Sequence, residues 1–259
     1  MSEYVTVRRD GHVAEIVLDR PEAHNALSTA MAREVAVACR EVGDDRAVRA
    51  VVLSAAGEKA FCVGADLKER NGFSDADLMR QRPVFRAAFG GVVDLPQPTV
   101  AAVHGFALGG GCELALACDL IVAEETATFG LPEVTVGVVP GGGGTQTLVR
   151  RVGYARAADL ILTGRKIGAA EAYDLGIVNR LVPTGSARDE ALALAATIAR
   201  NSPVGTRAAK QALRLGSTLD LKAGLDVEDA AWRSVAFSGD RREGVAAFNE
   251  KRPPEWPGE

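Results

Sequence analysis

Residues 99–118 constrain the fold of this chain more narrowly than any other segment. A β-branched run, TVAAV, has the composition of a buried strand, and after a short loop three consecutive glycines open an apolar helix, CELALACD. Further apolar runs at residues 48–55 and in DLIVAEE alternate with helical patterns along the same part of the chain. Strands that alternate with helices predict an α/β core.

The pattern changes toward the C-terminus. From about Ala187 apolar residues recur only at helical spacing, with breaks at Asn201-Ser202-Pro203, Gly216 and Ser238-Gly239. A chain of 259 residues is long enough for one large domain or for a main domain with an appendage. We therefore predict an α/β core over residues 1–200 and a separate helical region over residues 201–259.

Two serines mark predicted helix starts. Ser28 follows the loop PEAHNAL and can cap a helix that runs to about Val42. Ser74 and Asp77 form a capping pattern for a longer helix toward Gly90, because each side chain can bond the backbone N–H of the other residue. Both helices carry an apolar face, which predicts that they pack against the core.

Glycine and proline mark the main predicted turns. The pair Asp10-Gly11 lies between two alternating runs and predicts a tight β-hairpin at the N-terminus. Residues 129–140 are predicted to hold a tight turn and extended segments before the glycine run of PGGGG.

Composition argues against two classes of partner. The sequence contains 30 Lys plus Arg against 34 Asp plus Glu, a formal net charge of −4, and its basic doublets lie far apart. We therefore expect neither a nucleic acid nor a membrane as partner. No signal-peptide pattern and no run of ~18 apolar residues occurs. The four cysteines show no C-x-x-C spacing and are expected to be buried free thiols in a cytoplasmic protein.

Several catalytic motifs are absent. The glycine run lacks the lysine of a phosphate-binding P-loop, and no G-x-G-x-x-G follows the first predicted strand. The three histidines lack H-E-x-x-H spacing, and no serine lies in G-x-S-x-G. These absences argue against nicotinamide, metal and serine-triad chemistry, so we expect neither a metal nor a separate cofactor.

The glycine turn at residues 109–111 has a chemical interpretation. Small residues at the start of a helix leave backbone N–H groups accessible, and the helix dipole adds positive potential there. Such a turn stabilises a bound anion or a developing oxyanion, although tight helix packing explains a lone glycine turn equally well. Glu113 and Glu133 both lie in Gly-rich, otherwise apolar sequence. Each glutamate taken alone has a structural explanation, because the helix dipole favours acids in the first turn, but an unpaired carboxylate is costly in apolar sequence, which favours a functional pair.

The sequence also resembles a known family. Six collinear segments are similar to the signature of the crotonase (enoyl-CoA hydratase/isomerase) superfamily: DRPEAHNAL, AFCVGADLKE, VHGFALGGGCELALACD, FGLPEVTVGVVPGGGGTQ, GRKIGAAEAYDLGIVNRLVP and GVAAFNEKRPPEW. The resemblance covers essentially the whole chain. It implies an α/β spiral of strand-strand-helix units with a C-terminal helical region that joins subunits into homotrimers or dimers of trimers.

The resemblance implies catalytic residues one by one. In the family two backbone N–H groups hold the thioester oxygen, and the matching residues are Ala65 and Gly110. Members that hydrate enoyl thioesters have two glutamates, matched by Glu113 and Glu133, whereas isomerases often keep only the second. The presence of both therefore favours hydratase chemistry.

The resemblance also implies a binding site for coenzyme A, which enters as part of the substrate. The residues implied for its adenine and pantetheine channel, largely through their backbone, are Ala23, Asn25, Ala26, Leu27, Cys62, Gly64, Asp66, Leu67 and Lys68. Phe248 and Lys251 in the tail would reach the coenzyme A of a neighbouring subunit. The loop PEAHNAL contains Glu22 and no lysine, so a phosphate contact from this loop is not expected.

The sequence thus predicts a hydro-lyase that adds water to a trans-2-enoyl-CoA, as in fatty acid β-oxidation, with Glu113 as base and Glu133 as acid. The same oxyanion donors would also serve double-bond isomerisation, dehydration of a specialised hydroxyacyl-CoA or thioester hydrolysis. Substrate choice would depend on the helix around Met79, Phe85 and Phe89. A CoA-ester-binding protein without turnover is a further alternative, and the paired acids argue against it.

Overall fold

The computed structural model describes residues 2–259, and the strands in that range form two sheets. The larger sheet has the order β1 (Val5–Asp10), β2 (Val13–Leu18), β3 (Ala50–Ala55), β5 (Thr99–Val103), β7 (Leu120–Glu124) and β10 (Arg180–Val182). The smaller has the order β4 (Ala60–Cys62), β6 (Phe106–Leu108), β8 (Thr128–Gly130) and β9 (Lys166–Gly168). β1 and β9 pair antiparallel with their neighbours, and the other pairs are parallel.

The helices follow the strands in chain order. They are α1 (Thr29–Asp44), α2 (Leu67–Arg70), α3 (Asp75–Asp94), α4 (Gly110–Ala117), α5 (Gly144–Val152), α6 (Tyr154–Thr163), α7 (Ala169–Asp174), α8 (Ala187–Ala199), α9 (Pro203–Gly216), α10 (Leu221–Ala236) and α11 (Gly239–Glu250). No helix within residues 2–259 is long and apolar enough to cross a membrane.

A repeated strand-strand-helix unit generates the two sheets. In one unit β5 joins the large sheet, β6 joins the small sheet and α4 follows; β7 and β8 start the next unit in the same way. Each unit therefore adds one strand to each sheet. This arrangement confirms the expected α/β spiral with a helical C-terminal region.

Helices cover both faces of the large sheet. Alternate residues of β3 point to opposite faces: Val51 and Leu53 pack with α1, α3 and α4, whereas Ala50 and Val52 pack with α8. Because these parallel strands are buried on both faces, their sequences are continuous apolar runs.

The predicted caps are present. The Ser28 hydroxyl accepts a hydrogen bond from the Met31 N–H at 3.1 Å, and Ser74 and Asp77 form a capping box at the start of α3. α3 continues to Asp94, past the expected end near Gly90. The buried side chains of Phe89 and Val92 keep this last turn against the core, which outweighs the low helix propensity of glycine.

One local prediction is only partly right. Residues 129–140 were predicted to hold a tight turn and extended segments; Phe129 and Gly130 do belong to β8, but Pro132–Val136 forms a 3-10 helix. Pro132 lies at its start, where the fixed φ of proline favours a helix and its missing N–H costs nothing. Gly137 ends it with a φ of 76°. This short helix determines where Glu133 lies.

The C-terminal helices are anchored to the core. The Lys210 ammonium of α9 is buried, lies 2.9 Å from the Asp119 carboxylate and donates a hydrogen bond to the Gln97 carbonyl oxygen at 2.7 Å. Arg214 donates to Asp119 at 2.9 Å and to the carbonyl oxygens of Val93 and Ala117. The domain boundary at residue 200 remains a prediction.

Candidate active site

A cavity of about 700 Å³ lies between α3, the start of α4 and the segment 132–142. All four predicted catalytic residues line it together: Ala65, Gly110, Glu113 and Glu133. A second groove of about 750 Å³ lies between the β1–β2 hairpin, α8 and the C-terminal tail. Its buried acid, Glu15, is already paired with Arg188 at 2.6 Å, so the first cavity offers the reactive groups.

Two unpaired backbone donors meet in this cavity. The segment around Ala65 is fixed by hydrogen bonds from the Leu27 N–H to the Gly64 oxygen and from the Asp66 N–H to the Leu27 oxygen. A Cβ on Gly64, whose φ is +93°, would lie 3.0 Å from the Gly110 nitrogen, so the two strand ends approach closely because glycine is there. Within residues 2–259 neither the Ala65 N–H nor the Gly110 N–H has an acceptor.

Glu113 lies one turn into α4 and is 3% exposed. Its Oε1 accepts hydrogen bonds from the Gly142 N–H at 2.7 Å and from the Gly144 N–H at 2.8 Å. Burial raises the pKa of Glu113, although these N–H groups oppose the shift because they stabilise the charged form. Within residues 2–259 Oε2 accepts no hydrogen bond, which leaves it available to a water or substrate.

Glu133 lies in the 3-10 helix across the cavity. Its Oε2 is buried and has no hydrogen-bond partner within residues 2–259. Burial raises the pKa of Glu133 to about 7, and the charge of Glu113 adds to the shift. A Cβ on Gly109 would lie 3.3 Å from Glu133 Oε1, so the carboxyl group lies beside the turn that presents the Gly110 N–H. A carboxyl group with this pKa can hold a proton at neutral pH.

Arg82 of α3 supports the loop that binds Glu113. Its Nη1 donates a hydrogen bond of 2.6 Å to the Gly141 carbonyl oxygen. That oxygen and the Gly142 nitrogen belong to one peptide group, so a single peptide unit joins Arg82 to Glu113. The arginine charge polarises this peptide and strengthens its N–H as a donor.

The residues implied for coenzyme A fall into two groups. Gly64 and Leu67 line the cavity, whereas Ala23, Asn25, Ala26, Leu27, Cys62, Asp66 and Lys68 do not. The side chain of Asn25 is fully buried and bonds the Arg20 N–H and the carbonyl oxygens of Ala56 and Ala60. The Asn25 side chain therefore fixes the fold of the loop and is not available to a ligand, whereas the Lys68 side chain is exposed.

Three further residues of that group also have internal roles. The Asp66 carboxylate caps α2 and pairs with Arg20 at 2.7 Å. Cys62 is buried, which raises the pKa of its thiol to about 12, and Leu27 packs beneath Gly110. Phe248 and Lys251 are exposed in the single chain and lie outside its cavity.

The sequence interpretation missed part of the cavity wall. Met79, Phe85 and Phe89 line it as expected, but so do Arg70 and Arg82. The spacing of Leu78, Arg82, Phe85 and Phe89 along one face of α3 was a usable signal, because residues three or four apart share a face.

Comparisons with known proteins agree along the whole chain. Residues 8–259 match the family model described as enoyl-CoA hydratase/isomerase. The Rhizobium meliloti protein named "Probable enoyl-CoA hydratase" is 46% identical over 254 residues, 98% of each chain. The crystal structure of an enoyl-CoA hydratase from Bacillus anthracis is 43% identical, has a TM-score of 0.96 and covers 99% of this chain and 100% of its own. Pseudomonas aeruginosa DspI is 36% identical with a TM-score of 0.93, covering 98% of this chain and 96% of its own.

Proposed function

Since the chain belongs to the enoyl-CoA hydratase/isomerase family, we propose that it catalyses the reversible addition of water to a trans-2-enoyl-CoA, giving a 3-hydroxyacyl-CoA. One observation supports this proposal above the others: two carboxyl groups, Glu113 and Glu133, face one cavity beside the unpaired N–H groups of Ala65 and Gly110. Hydration needs a base, an acid and an oxyanion site, and the cavity holds a candidate for each.

The backbone donors activate the thioester. Hydrogen bonds from the Ala65 and Gly110 N–H groups withdraw electron density from the C1 carbonyl, so C3 becomes electrophilic. As water adds to C3, the electrons of the C2=C3 bond move toward the thioester oxygen, and the same donors stabilise the enolate-like transition state. Losing one such donor typically costs ~100-fold or more in rate.

Glu113 acts as the base in this reaction. Its Oε1 is fixed by Gly142 and Gly144, so Oε2 can accept a hydrogen bond from the attacking water. The two N–H groups stabilise the carboxylate form that a base requires. The water oxygen bonds to C3 as one of its protons passes to Glu113.

Glu133 acts as the acid. With a pKa of about 7 it carries a proton in part of the molecules at neutral pH, and this proton passes to C2. After the reaction Glu113 is protonated and Glu133 is charged, so one proton must move between them before the next turnover. The pair titrates as a coupled unit. The reaction balances with water and the thioester alone, without a cofactor.

The test follows the ultraviolet absorbance of the conjugated enoyl thioester, with crotonyl-CoA and longer 2-enoyl-CoAs. We expect the wild type to form 3-hydroxyacyl-CoA, identified by mass spectrometry, and Glu113→Gln and Glu133→Gln each to lower kcat by about 100- to 10,000-fold. Glu58→Gln, on an exposed loop, is the matched control. Binding of the ester without hydration would instead indicate isomerase, dehydratase or hydrolase chemistry, or a protein without turnover.

We also propose a homotrimer or a dimer of trimers, built through the C-terminal helices. Large apolar side chains stay exposed on α9, α10 and α11 in the single chain: Leu213, Leu221, Leu225, Trp232, Val245 and Phe248. Burying them between subunits would bring Phe248 and Lys251 near a neighbour's coenzyme A. Light scattering on the purified protein gives the subunit number, and a monomer at micromolar concentration would contradict the proposal.

The cellular location is proposed on chemical grounds. All four cysteines are free and buried, and burial raises the pKa of each thiol to about 12. Unpaired thiols fit a reducing compartment, so we propose the cytoplasm. Cell fractionation of the source organism tests this assignment.

A further inference from the structure

Two arginines line the active-site cavity, and the proposed hydration steps give neither of them a contact with substrate. Arg70 ends α2, and Arg82 lies two turns before Phe89 on α3. Within residues 2–259 neither guanidinium lies within 4.0 Å of a carboxylate. Of the two carboxyl groups that line the cavity, Glu113 is held by the N–H groups of Gly142 and Gly144, and burial raises the pKa of Glu133 to about 7; neither forms an ion pair with Arg70 or Arg82.

Arg70 is the more enclosed of the two. It is half-buried, and its guanidinium carbon lies 4.9 Å from the centroid of the Phe85 ring. Its Nε donates to Gln81 Oε1 at 2.9 Å, whereas its two Nη atoms have no acceptor within residues 2–259. Burial lowers the pKa of Arg70, and the charge of the adjacent Glu69 opposes this shift, but the Glu69 carboxylate accepts its hydrogen bonds from the Thr29 N–H and from Gln81 Nε2 and not from Arg70. A half-buried guanidinium with free donors is costly unless an anion binds it.

The aromatic rings place Arg70 relative to the reacting carbons. A Cβ on Gly110 would lie 3.2 Å from the Phe89 ring, so Phe89 adjoins the oxyanion donor. The Phe85 ring centroid lies 6.2 Å from that of Phe89, one turn back along α3, and Arg70 stacks on Phe85. Two aromatic rings, Phe89 and Phe85, therefore lie between the Gly110 N–H and the Arg70 guanidinium. An acyl chain that leaves the thioester along α3 would reach it.

We propose that Arg70, with the charge of Arg82 nearby, binds a carboxylate at the far end of the acyl group. The preferred substrates would then be 2-enoyl-CoAs that carry a second, free carboxyl group. This inference rests on the proposed hydratase function. The planar guanidinium pairs with a carboxylate through two parallel N–H bonds, a geometry that a neutral alkyl end cannot offer. Leu78, Met79 and Val139 supply apolar wall for the methylene groups between the two ends.

The experiment compares substrates matched in carbon number. The pairs are trans-glutaconyl-CoA with trans-2-pentenoyl-CoA and trans-2-hexenedioyl-CoA with trans-2-hexenoyl-CoA. In at least one pair, we expect kcat/KM for the carboxylated member to be higher than kcat/KM for the neutral member by about tenfold or more. In Arg70→Met this ratio should fall by about 10- to 100-fold, the usual range for a charge-assisted hydrogen bond, and Arg70→Lys should retain part of it. Arg86→Met, on the exposed face of α3, is the control with an unchanged ratio.

Two results would overturn the inference. A wild-type ratio near one for both pairs would show that the cavity does not select a carboxylate. If Arg70→Met weakened both members of a pair equally and also weakened binding of free coenzyme A, the arginine would be binding a phosphate of the coenzyme. Thermal unfolding of each variant shows that it is folded.

Binding of saturated esters separates this inference from the proposed reaction. Glutaryl-CoA and pentanoyl-CoA cannot be hydrated, so their dissociation constants report recognition alone. Tighter binding of glutaryl-CoA that depends on Arg70 would support the inference even if no hydration were observed. Equal binding of both esters, in an enzyme that does hydrate 2-enoyl-CoAs, would reject the inference and leave the hydratase proposal intact.

Discussion

The ammonium of Lys210 lies 2.9 Å from the carboxylate of Asp119, and this ion pair joins α9 to the core between α4 and β7. Lys210 is 8% exposed, so its charge depends on this partner and on the Gln97 carbonyl oxygen. A buried charge that loses its partner is strongly destabilising. Asp119 therefore contributes to holding α9 against the core.

Replacing Asp119 should reveal this dependence. Asp119→Ala leaves Lys210 without its counter-ion, and we expect the free energy of unfolding to fall by about 3 kcal/mol in urea titrations. The matched control is Asp229→Ala, which removes an exposed i,i+4 pair with Arg233 and should cost less than about 0.5 kcal/mol. Similar losses in both variants would contradict the inference that the buried pair anchors α9.

The Asp119 contribution should also depend on pH. Burial by itself would raise its pKa, but Lys210 and Arg214 hold the pKa below its ordinary value. The folded state then binds this proton less tightly than the unfolded state, so the stabilisation is complete above the ordinary pKa and is lost as pH falls below it. The stability difference between wild type and Asp119→Asn should shrink below pH of about 4. A constant difference between pH 3 and pH 7 would exclude this linkage.

The proposed hydration reaction should slow at alkaline pH. The pKa of Glu133 is about 7, and the proposed acid acts only when protonated. We expect kcat/KM for crotonyl-CoA to decline above that pH with the slope of a single ionisation. A profile that stays flat to pH 9 would remove Glu133 from the acid role.

The same carboxyl group should destabilise the folded protein when it ionises. Its folded pKa lies above its ordinary value of 4.5, so the folded state binds the proton more tightly than the unfolded state, and stability falls as pH rises between the two values. Glutamine resembles the protonated acid. Glu133→Gln should therefore melt at a higher temperature than wild type at pH 8, and the difference should vanish near pH 4.5. Calorimetry at both pH values measures the melting temperatures of the wild type and of Glu133→Gln and so tests this prediction.

Arg82 should act on the reaction through the Gly141–Gly142 peptide. Arg82→Met removes the hydrogen bond to the Gly141 oxygen, so Glu113 is held less firmly, and we expect kcat to fall about tenfold. Arg82→Lys should restore part of the loss because lysine can also donate to that oxygen. The pH profile of kcat should shift in Arg82→Met, since a weaker N–H donor stabilises the charged form of Glu113 less. Loss of stability with an unchanged profile would indicate a purely structural role.

Glycine at position 111 should be essential for the oxyanion site. A Cβ there would lie 1.9 Å from the Cys62 carbonyl oxygen, which belongs to the strand that leads to Ala65. We expect Gly111→Ala to lower stability by about 4 kcal/mol or more, or to prevent folding. Gly168→Ala is the control, because its φ of −75° suits alanine and nothing lies within 4 Å of the added Cβ. Equal expression and melting temperatures of the two variants would contradict the close approach.

Local signals predicted the parts of the fold that depend on neighbouring residues. The Ser28 cap, the Ser74 capping box and the strand Thr99–Val103 are all present because each depends on sequence within a few residues. Local sequence also predicted the glycine turn at residues 109–111 and Glu113 as a candidate site residue, because both lie at the start of α4.

The other features of the fold and of the candidate site depend on contacts between residues that are far apart in the sequence. Nothing near Asn25 indicates that its amide would be used by Ala56 and Ala60, and nothing near Arg82 indicates that it would meet Gly141. The 3-10 helix that carries Glu133 was missed because a proline after a turn fits an extended segment and a helix start equally well. These relationships form only when separate strand-strand-helix units pack together.

The proposed oxyanion donors are peptide N–H groups, whereas the proposed acid and base are side chains. A single substitution can remove or replace Glu113 or Glu133, but no change of side chain at Ala65 deletes its N–H unless proline is introduced there. In the proposed mechanism, thioester activation therefore depends on the course of the main chain, and proton transfer depends on two side chains. Point mutations of these two side chains can accordingly give rise to new reactions on CoA esters, while the backbone N–H donors proposed to activate the substrate stay in place.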